Sequence, residues 1–423
     1  MEKEYDVVII GGGTSGCACA YICAKNGLRT LLVEKNNFLG GLMTGGLVVP
    51  VMKSGIDDLN CEYYRKLVET AKKFNAQTTY KDKNDGWFNP VVLRIVLDDI
   101  LSSFIVKDNI DILFETTVDK VECDKDSIKK IVLNSNLNTV SIKGKYFVDA
   151  TGSAEFSVLA NCDLINDSSI YQQSSLRFIL GNVDIEKFCD FICAVDKDEN
   201  ITNTNRNDLN CNELHFTTAS TWDTNKLWAL DKYLKKGVEE GVLLDIDRSY
   251  FQIFSIAKTK NQVAFNCPRI NMYKNDPYKA SVELIKARKA IYRLFNFTRI
   301  YFPGFEEAII TNIAVQTGVR EQNRVKTRYI YKESDLKSSK TFKTPVLRAN
   351  YPIDVHIGQK NSSILQKTAS YELPIESLMS FNYKNLFVIG KILGAEFLAH
   401  SALRVQKSCM SMGEGVANYI KNL

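Results

Sequence analysis

No Cys-x-x-Cys pair occurs among the eleven cysteines, and their number is odd. That argues for reduced thiols in the cytosol and against a disulfide framework, a zinc site or a redox dithiol, so no metal ligands are expected. No hydrophobic run is long enough to span a bilayer. Neither sign of charge dominates: 54 Lys and Arg stand against 49 Asp and Glu, spread along the chain, which leaves no electrostatic footprint for nucleic acid. Internal repeats and low-complexity tracts are absent. Histidine is scarce, with His215, His356 and His400 the whole supply, so any imidazole chemistry falls to one of three. No signal peptide is expected at the start of this sequence, because Met1–Asp6 is not positively charged and the apolar run after it is short. A cytoplasmic protein with no membrane or nucleic-acid partner is therefore expected. Its 423 residues can bury a sizeable core and suggest two or three domains.

What is present begins at Tyr5. Val7–Ile10 is an apolar run of the kind a parallel strand buries on both faces, and Gly11-x-Gly13-x-x-Gly16 then turns the chain into a helix starting near Thr14. Ser15 lies in that first turn. In such a turn one glycine permits the bend, one lets backbone approach a pyrophosphate, and one packs helix on strand. The helix N-terminus adds free N–H groups and a positive dipole. A second strand, Arg29–Val33, ends in Glu34, which lies 18 positions beyond Gly16, where a carboxylate meets an adenosine ribose and repels a 2′-phosphate. Strand, turn, helix, strand and acid in this order read as dinucleotide binding, with NADP disfavoured. The glycine-paired loop Gly40-Gly41-Leu42-Met43-Thr44-Gly45-Gly46 follows directly. A nicotinamide domain does not need it; a longer cofactor such as FAD does.

Helices are expected near 60–72 and 90–104, then a small β-meander between Asp111 and Lys145. Tyr146–Gly152 reads as an apolar strand ending in small residues, Ala150-Thr151-Gly152, that leave room for a ligand. From 165 to 310 the pattern changes. Strands are expected at Ser175–Leu180, 250–257 and 261–267, helices at 224–240 and 277–296, and an exposed loop at 194–213. The fold expected is α/β: a Rossmann-like domain of parallel sheet plus β-meander in two parts, 1–164 and 311–423, with an α+β substrate or cap domain, 165–310, inserted between them.

The last third holds Gly318-Val319-Arg320-Glu321, Asp354-x-His356, Leu373-Pro374, a strand Asn385–Ile389 ending at Gly390-Lys391, and Ser401-x-x-Arg404 before a final helix. Together with Gly11–Gly16, Glu34, Gly40–Gly46 and Asp149–Gly152, these blocks resemble the FAD-dependent oxidoreductase family built on a glutathione-reductase-like FAD fold. The resemblance implies FAD lying extended, its adenosine at Glu34 and Lys35 and its pyrophosphate at Gly11–Gly16. It places the isoalloxazine near Gly41, Leu42, Thr44, Gly45 and Gly390. Val118, Ala150, Thr151, Gly152 and Arg404 complete the implied contacts. It also implies a terminal helix whose N-terminus faces the flavin pyrimidine, where the dipole would stabilise negative charge on reduction. The chain departs from the pattern at Lys391, where arginine is expected, and at Phe397, where histidine is expected; His400 stands nearby, out of register.

Hydride transfer from an alcohol or amine needs a base as well as orientation. His356, two residues after Asp354, is the first candidate, and a histidine supporting a turn is the structural alternative. His400 is the second. Arg320, Arg324, Arg348 and Arg404 can form a carboxylate clamp, or ion pairs with Glu321, Asp335 and Asp354; the latter reading suits Arg324 better. Tyr351 and Tyr371 are further hydroxyl donors. The expected activity is FAD-dependent hydride transfer with a small polar metabolite, anionic if the clamp forms, and an electron acceptor or donor the sequence does not name. A flavin monooxygenase and a protein using flavin as a structural or sensing element are the alternatives.

Overall fold

The computed structural model describes residues 3–52, 59–80, 86–135, 138–166, 172–198, 201–204, 214–220, 228–271, 273, 276–356 and 364–423. Strand Lys3–Ile10 lies at the centre of a seven-stranded sheet, with Val7–Ile10 buried between layers as their unbroken apolarity requires. On one side Val7–Ile10 pairs in parallel with Thr30–Val33, and Ile110–Leu113 pairs beyond it. On the other side Ile10 faces Asp149 of the strand Asn138–Asp149, whose end also pairs in parallel with Leu386–Val388.

Asn138–Asp149 is one strand of 12 residues with two partners in succession. Its first half runs antiparallel to Ser127–Ser135, which pairs in turn with Thr116–Asp124. The meander and the strand expected at Tyr146 are thus continuous and share the sheet. No break separates them, because Val140, Ile142 and Tyr146–Val148 keep β-favouring side chains through Gly144.

Helix Thr14–Lys25 covers this sheet, and Cys17, Cys19 and Cys23 are fully buried in it as small apolar packing residues. The last helix, Gln406–Lys421, crosses it at close range: a Cβ on Gly413 would stand 2.2 Å from the Ser15 carbonyl oxygen. The expected helices at 60–72 and 90–104 are Glu62–Lys73 and Val92–Ile105.

A second, antiparallel sheet has six strands in the order Thr202–Thr204, Phe216–Ala219, Gln252–Ser255, Val263–Phe265, Phe178–Gly181, Ile309–Ile313. Its core is aromatic, with Phe178 stacked on Phe265 at 4.3 Å and Phe188 edge-on to Phe216 and Phe305. Helix Pro277–Tyr301 runs five residues past its expected end, and the second expected helix starts at Asp231. Helix Ile185–Val195 was not expected; the Asp184 carboxylate caps it by accepting from the Lys187 N–H at 3.0 Å. The loop expected at 194–213 contains the short strand Thr202–Thr204, while 199–200, 205–213 and the first part, 224–227, of the helix expected at 224–240 lie outside the described residues.

Candidate active site

The two sheets face each other across a cavity of about 630 Å³. One end is built by the glycine turn. Gly11 takes φ +107°, and a Cβ there would sit 2.6 Å from the Ala150 carbonyl oxygen, so the turn and the end of strand Asn138–Asp149 are in backbone contact. Gly13 is different, since a Cβ on it would meet nothing within 4 Å and would project into open space. Helix Thr14–Lys25 starts at Gly13 with no side-chain cap, leaving its first N–H groups available.

Gly11, Gly13, Thr14, Ser15, Glu34 and Lys35 all line this cavity, as do Gly41, Leu42, Val118, Ala150, Thr151, Gly152, Gly390 and Arg404. The Glu34 carboxylate is fixed, accepting from the Gly12 N–H at 2.7 Å and from the Asn36 backbone N–H at 2.8 Å. Gly16, Thr44 and Gly45 stand behind the wall. A Cβ on Gly16 would come 1.9 Å from the Gly11 carbonyl oxygen, one on Gly45 2.5 Å from the Phe38 ring, and the Thr44 hydroxyl donates to the Leu39 carbonyl. An uncapped helix start, a glycine opening into space and an anchored acid are what an extended dinucleotide needs, so the residues present fit that group.

The other end is lined with guanidinium groups. Arg320 donates to the Gln173 carbonyl at 2.7 Å and to Ser175 Oγ at 3.1 Å. Arg404 donates to Gln172 Oε1 at 3.0 Å and to the Asp354 carbonyl at 2.8 Å. Two more arginines join them, Arg177 from just before strand Phe178–Gly181 and Arg269 from a short ladder in which Arg269–Ile270 pairs with Ser174–Ser175. Arg177 faces the Leu47 and Val49 carbonyls at 3.3 and 3.4 Å, and Arg269 lies over the Tyr250 ring at 3.9 Å while donating to Ser175 Oγ. Enclosure and mutual repulsion lower Arg177, Arg269 and Arg320; Arg177 is lowered to about 10 by burial and then by Arg269, so it stays charged at neutral pH. Arg324 and Arg348 are elsewhere, paired with Glu321 and Glu372 at 3.4 and 2.8 Å. Tyr351 lines the cavity, whereas the buried Tyr371 hydroxyl donates to the Tyr351 and Ala402 carbonyls. Arg177 and Arg269 were missed from the sequence; the available signal was a lone cation inside the apolar run Leu176-Arg177-Phe178.

His356 reaches the cavity with both ring nitrogens engaged. Arginine can only donate, so Nδ1 accepts from Arg269 at 3.2 Å; the proton is on Nε2, which donates to Asp354 Oδ1 at 3.2 Å. Burial, with Arg269 and Arg320, holds its titration well below the usual histidine range, so the ring is neutral. His400 does not line the cavity. It is fully buried, and its Nε2 donates to the Lys391 carbonyl at 2.7 Å, so it anchors the Gly390-Lys391 loop.

Lys391 does line the cavity, and its ammonium donates to the Val319 carbonyl at 2.7 Å. Burial lowers it to about 8. A lysine whose folded pKa is depressed binds fewer protons than the unfolded chain between about 8 and about 10.4, so stability rises with pH across that window. The cofactor-loaded protein is expected to show a spectral transition centred near pH 8 as this charge is lost, absent in Lys391→Met; absorbance titration from pH 6 to 10 checks it.

The sequence profile of the family described as FAD dependent oxidoreductase matches residues 6–421. The chain belongs to that family. The family is one of FAD-dependent oxidoreductases. Over 156 residues this family member is 26% identical to the digeranylgeranylglycerophospholipid reductase of Methanococcus vannielii, covering 36% of this chain and 39% of that one. Over 74 residues it is 40% identical to the mitochondrial glycerol-3-phosphate dehydrogenase of Rattus norvegicus, covering 16% of this chain and 10% of that one. These matches span well under half the length of either relative. Among solved structures it is similar to a geranylgeranyl bacteriochlorophyll reductase-like protein from Thermoplasma acidophilum, at 14% identity and a TM-score of 0.49, covering 100% of this chain and 79% of that one. Among the described residues no helix is long and apolar enough to cross a membrane.

Proposed function

We propose that this family member transfers a hydride between FAD and a small polar anion seated against the arginines. The observation that carries the reading is one continuous cavity joining the glycine turn to the guanidinium wall. Bound FAD would supply the hydride acceptor or donor. The N–H groups after Gly13 would hold its pyrophosphate, Glu34 its ribose, and the start of helix Gln406–Lys421, where Val405, Gln406 and Cys409 line the cavity, would favour negative charge on the flavin ring. Arg320 and Arg404 orient the substrate's anionic group, as guanidinium forks do. His356 is a positioning residue: its only lone pair is directed at Arg269, so it holds that arginine and Asp354 in place. The cap-domain reading of 165–310 fits this scheme, with that stretch supplying Ser175, Arg177 and Tyr250 to the substrate end.

The purified protein is expected to be yellow, to release FAD on denaturation, and to bleach on anaerobic dithionite titration. A colourless protein that cannot be reconstituted with FAD would overturn the reading. Once a turned-over acid is found, Arg320→Gln is expected to lower kcat/KM by about 10- to 100-fold, the worth of one charge-assisted hydrogen bond, with partial rescue in Arg320→Lys.

A further inference from the structure

Four guanidiniums meet at the substrate end, Arg177, Arg320 and Arg404 half-buried on the cavity wall and Arg269 buried behind it, and the neighbours that accept from them are almost all neutral. Arg320 is held by a carbonyl and a hydroxyl, Arg177 by two carbonyls at long range, and Arg269 by a hydroxyl, an imidazole and an aromatic face. Nε of Arg177 and Nε of Arg404 are buried without any partner among the described residues. Among the described residues one carboxylate faces this group, Asp354, and it is shared between His356 Nε2, the Tyr351 hydroxyl at 3.3 Å and Arg404 at 3.6 Å. The other acids on the cavity wall are committed elsewhere, Glu34 to backbone N–H groups and Glu155 to Lys35 at 2.8 Å. With His356 neutral, three positive charges have no counter-charge among the described residues. Leaving buried charge uncompensated costs several kcal/mol per ion, and a monoanion would cancel only one of the three.

We infer that the ligand of this end is a compact anion carrying at least two negative charges, as carboxylate or phosphate groups, and that Arg177 reads the second charge. The inference rests on the function proposed above and names its substrate class. Arg320 and Arg404 come from the last third of the chain and take the first anionic group. Arg177 approaches from just before strand Phe178–Gly181, its Nε and one terminal nitrogen unspent, and takes the other. Ser175, Gln252 and Asn266 line the same end, with Asn266 Oδ1 unpartnered, so the wall suits a polar ligand and not a hydrocarbon chain.

The test is a titration of the FAD-loaded protein with succinate, inorganic phosphate, acetate and glycerol at constant ionic strength, followed by flavin difference absorbance and by thermal melting. At least one of succinate and phosphate is expected to perturb the flavin band and raise Tm at a concentration about tenfold or more below acetate, with glycerol inert. Whichever of the two binds tighter identifies carboxylate or phosphoryl chemistry. Arg177→Gln is expected to weaken the dianion about tenfold while moving acetate less than about threefold, and Arg177→Lys to recover part of the loss. Equal binding of acetate and dianion, no binding of any anion, or an unchanged dianion affinity in Arg177→Gln would each overturn the inference. If Arg177→Gln does not fold, the ranking on the unaltered protein decides alone. A protein that loads and reduces FAD but ignores anion charge sinks this inference and spares the flavoenzyme. A protein that never loads FAD sinks the flavoenzyme, and the melting arm still ranks the anions.

Discussion

Gly16→Ala is expected to produce a protein that no longer retains FAD, with bound flavin down by about 100-fold and a lowered Tm. The added Cβ would stand 1.9 Å from the Gly11 carbonyl oxygen and 3.1 Å from its carbon. Both are backbone atoms of a strained turn, so no rotamer relieves the clash and the helix start must retreat from the strand. Overpacking of this kind costs about 1–3 kcal/mol or more, and here the displaced atoms are the N–H groups offered to the pyrophosphate. Gly13→Ala is the matched control. Its Cβ meets no protein atom within 4 Å, so the cofactor-free protein is expected to melt unchanged while FAD binds weakly, because the methyl enters the space a dinucleotide would use. Flavin-to-protein absorbance after desalting and a melt with and without FAD separate the two. Full FAD retention in both variants would show that the turn is not the cofactor cradle.

The second large effect is expected at Asp354. Burial pushes its carboxyl up, but His356, Arg404 and Arg320 outweigh burial and hold it well below the usual carboxylate range. Asp354→Asn removes the one counter-charge among the described residues, for an expected loss of about 3–5 kcal/mol at neutral pH. The sign of the pH dependence follows from linkage. A carboxylate with a depressed folded pKa contributes stability that is complete above the unfolded value near 3.9 and is lost as pH falls toward the folded value. The stability gap between the parent and Asp354→Asn is therefore expected to be full from pH 5 to 8 and to shrink below about pH 4. Urea unfolding at several pH values measures it. A gap that is small at neutral pH, or that widens in acid, would remove Asp354 from its place as the counter-charge.

Much of the nucleotide half could be read directly because its determinants are local. Gly11, Gly13 and Gly16 act within one turn, Val7–Ile10 must be buried on both faces, and Glu34 ends the next strand. The terminal helix was legible too, displaced by only a residue or two. The substrate half was not legible, because its determinants are distant in sequence. Arg177 and Arg269 belong to different strands or loops and matter only once Ser175 has been brought between Arg269 and Arg320. The state of His356 is fixed by an arginine 87 residues away, so the adjacent Asp354 alone could not reveal that its lone pair is occupied. His400 shows the converse. A histidine near the right motif was an attractive candidate, and packing turned its ring toward a backbone carbonyl outside the cavity.

The crossing of helix Gln406–Lys421 over helix Thr14–Lys25 has a consequence for biosynthesis. Leu386–Val388 closes the sheet edge beside Phe147, and Gly413 seats the last helix on Ser15, so the two halves of the cradle are nearly 400 residues apart in order of translation. A ribosome must release the final helix before the first glycine turn has its full support. Until then the apolar strand at Phe147–Val148 lacks its neighbour, a long-range contact of the kind that slows folding and exposes nascent chains to aggregation. Cofactor capture is thereby set after helix Gln406–Lys421 has emerged, and bound flavin becomes the reporter that the two halves of the cradle have met.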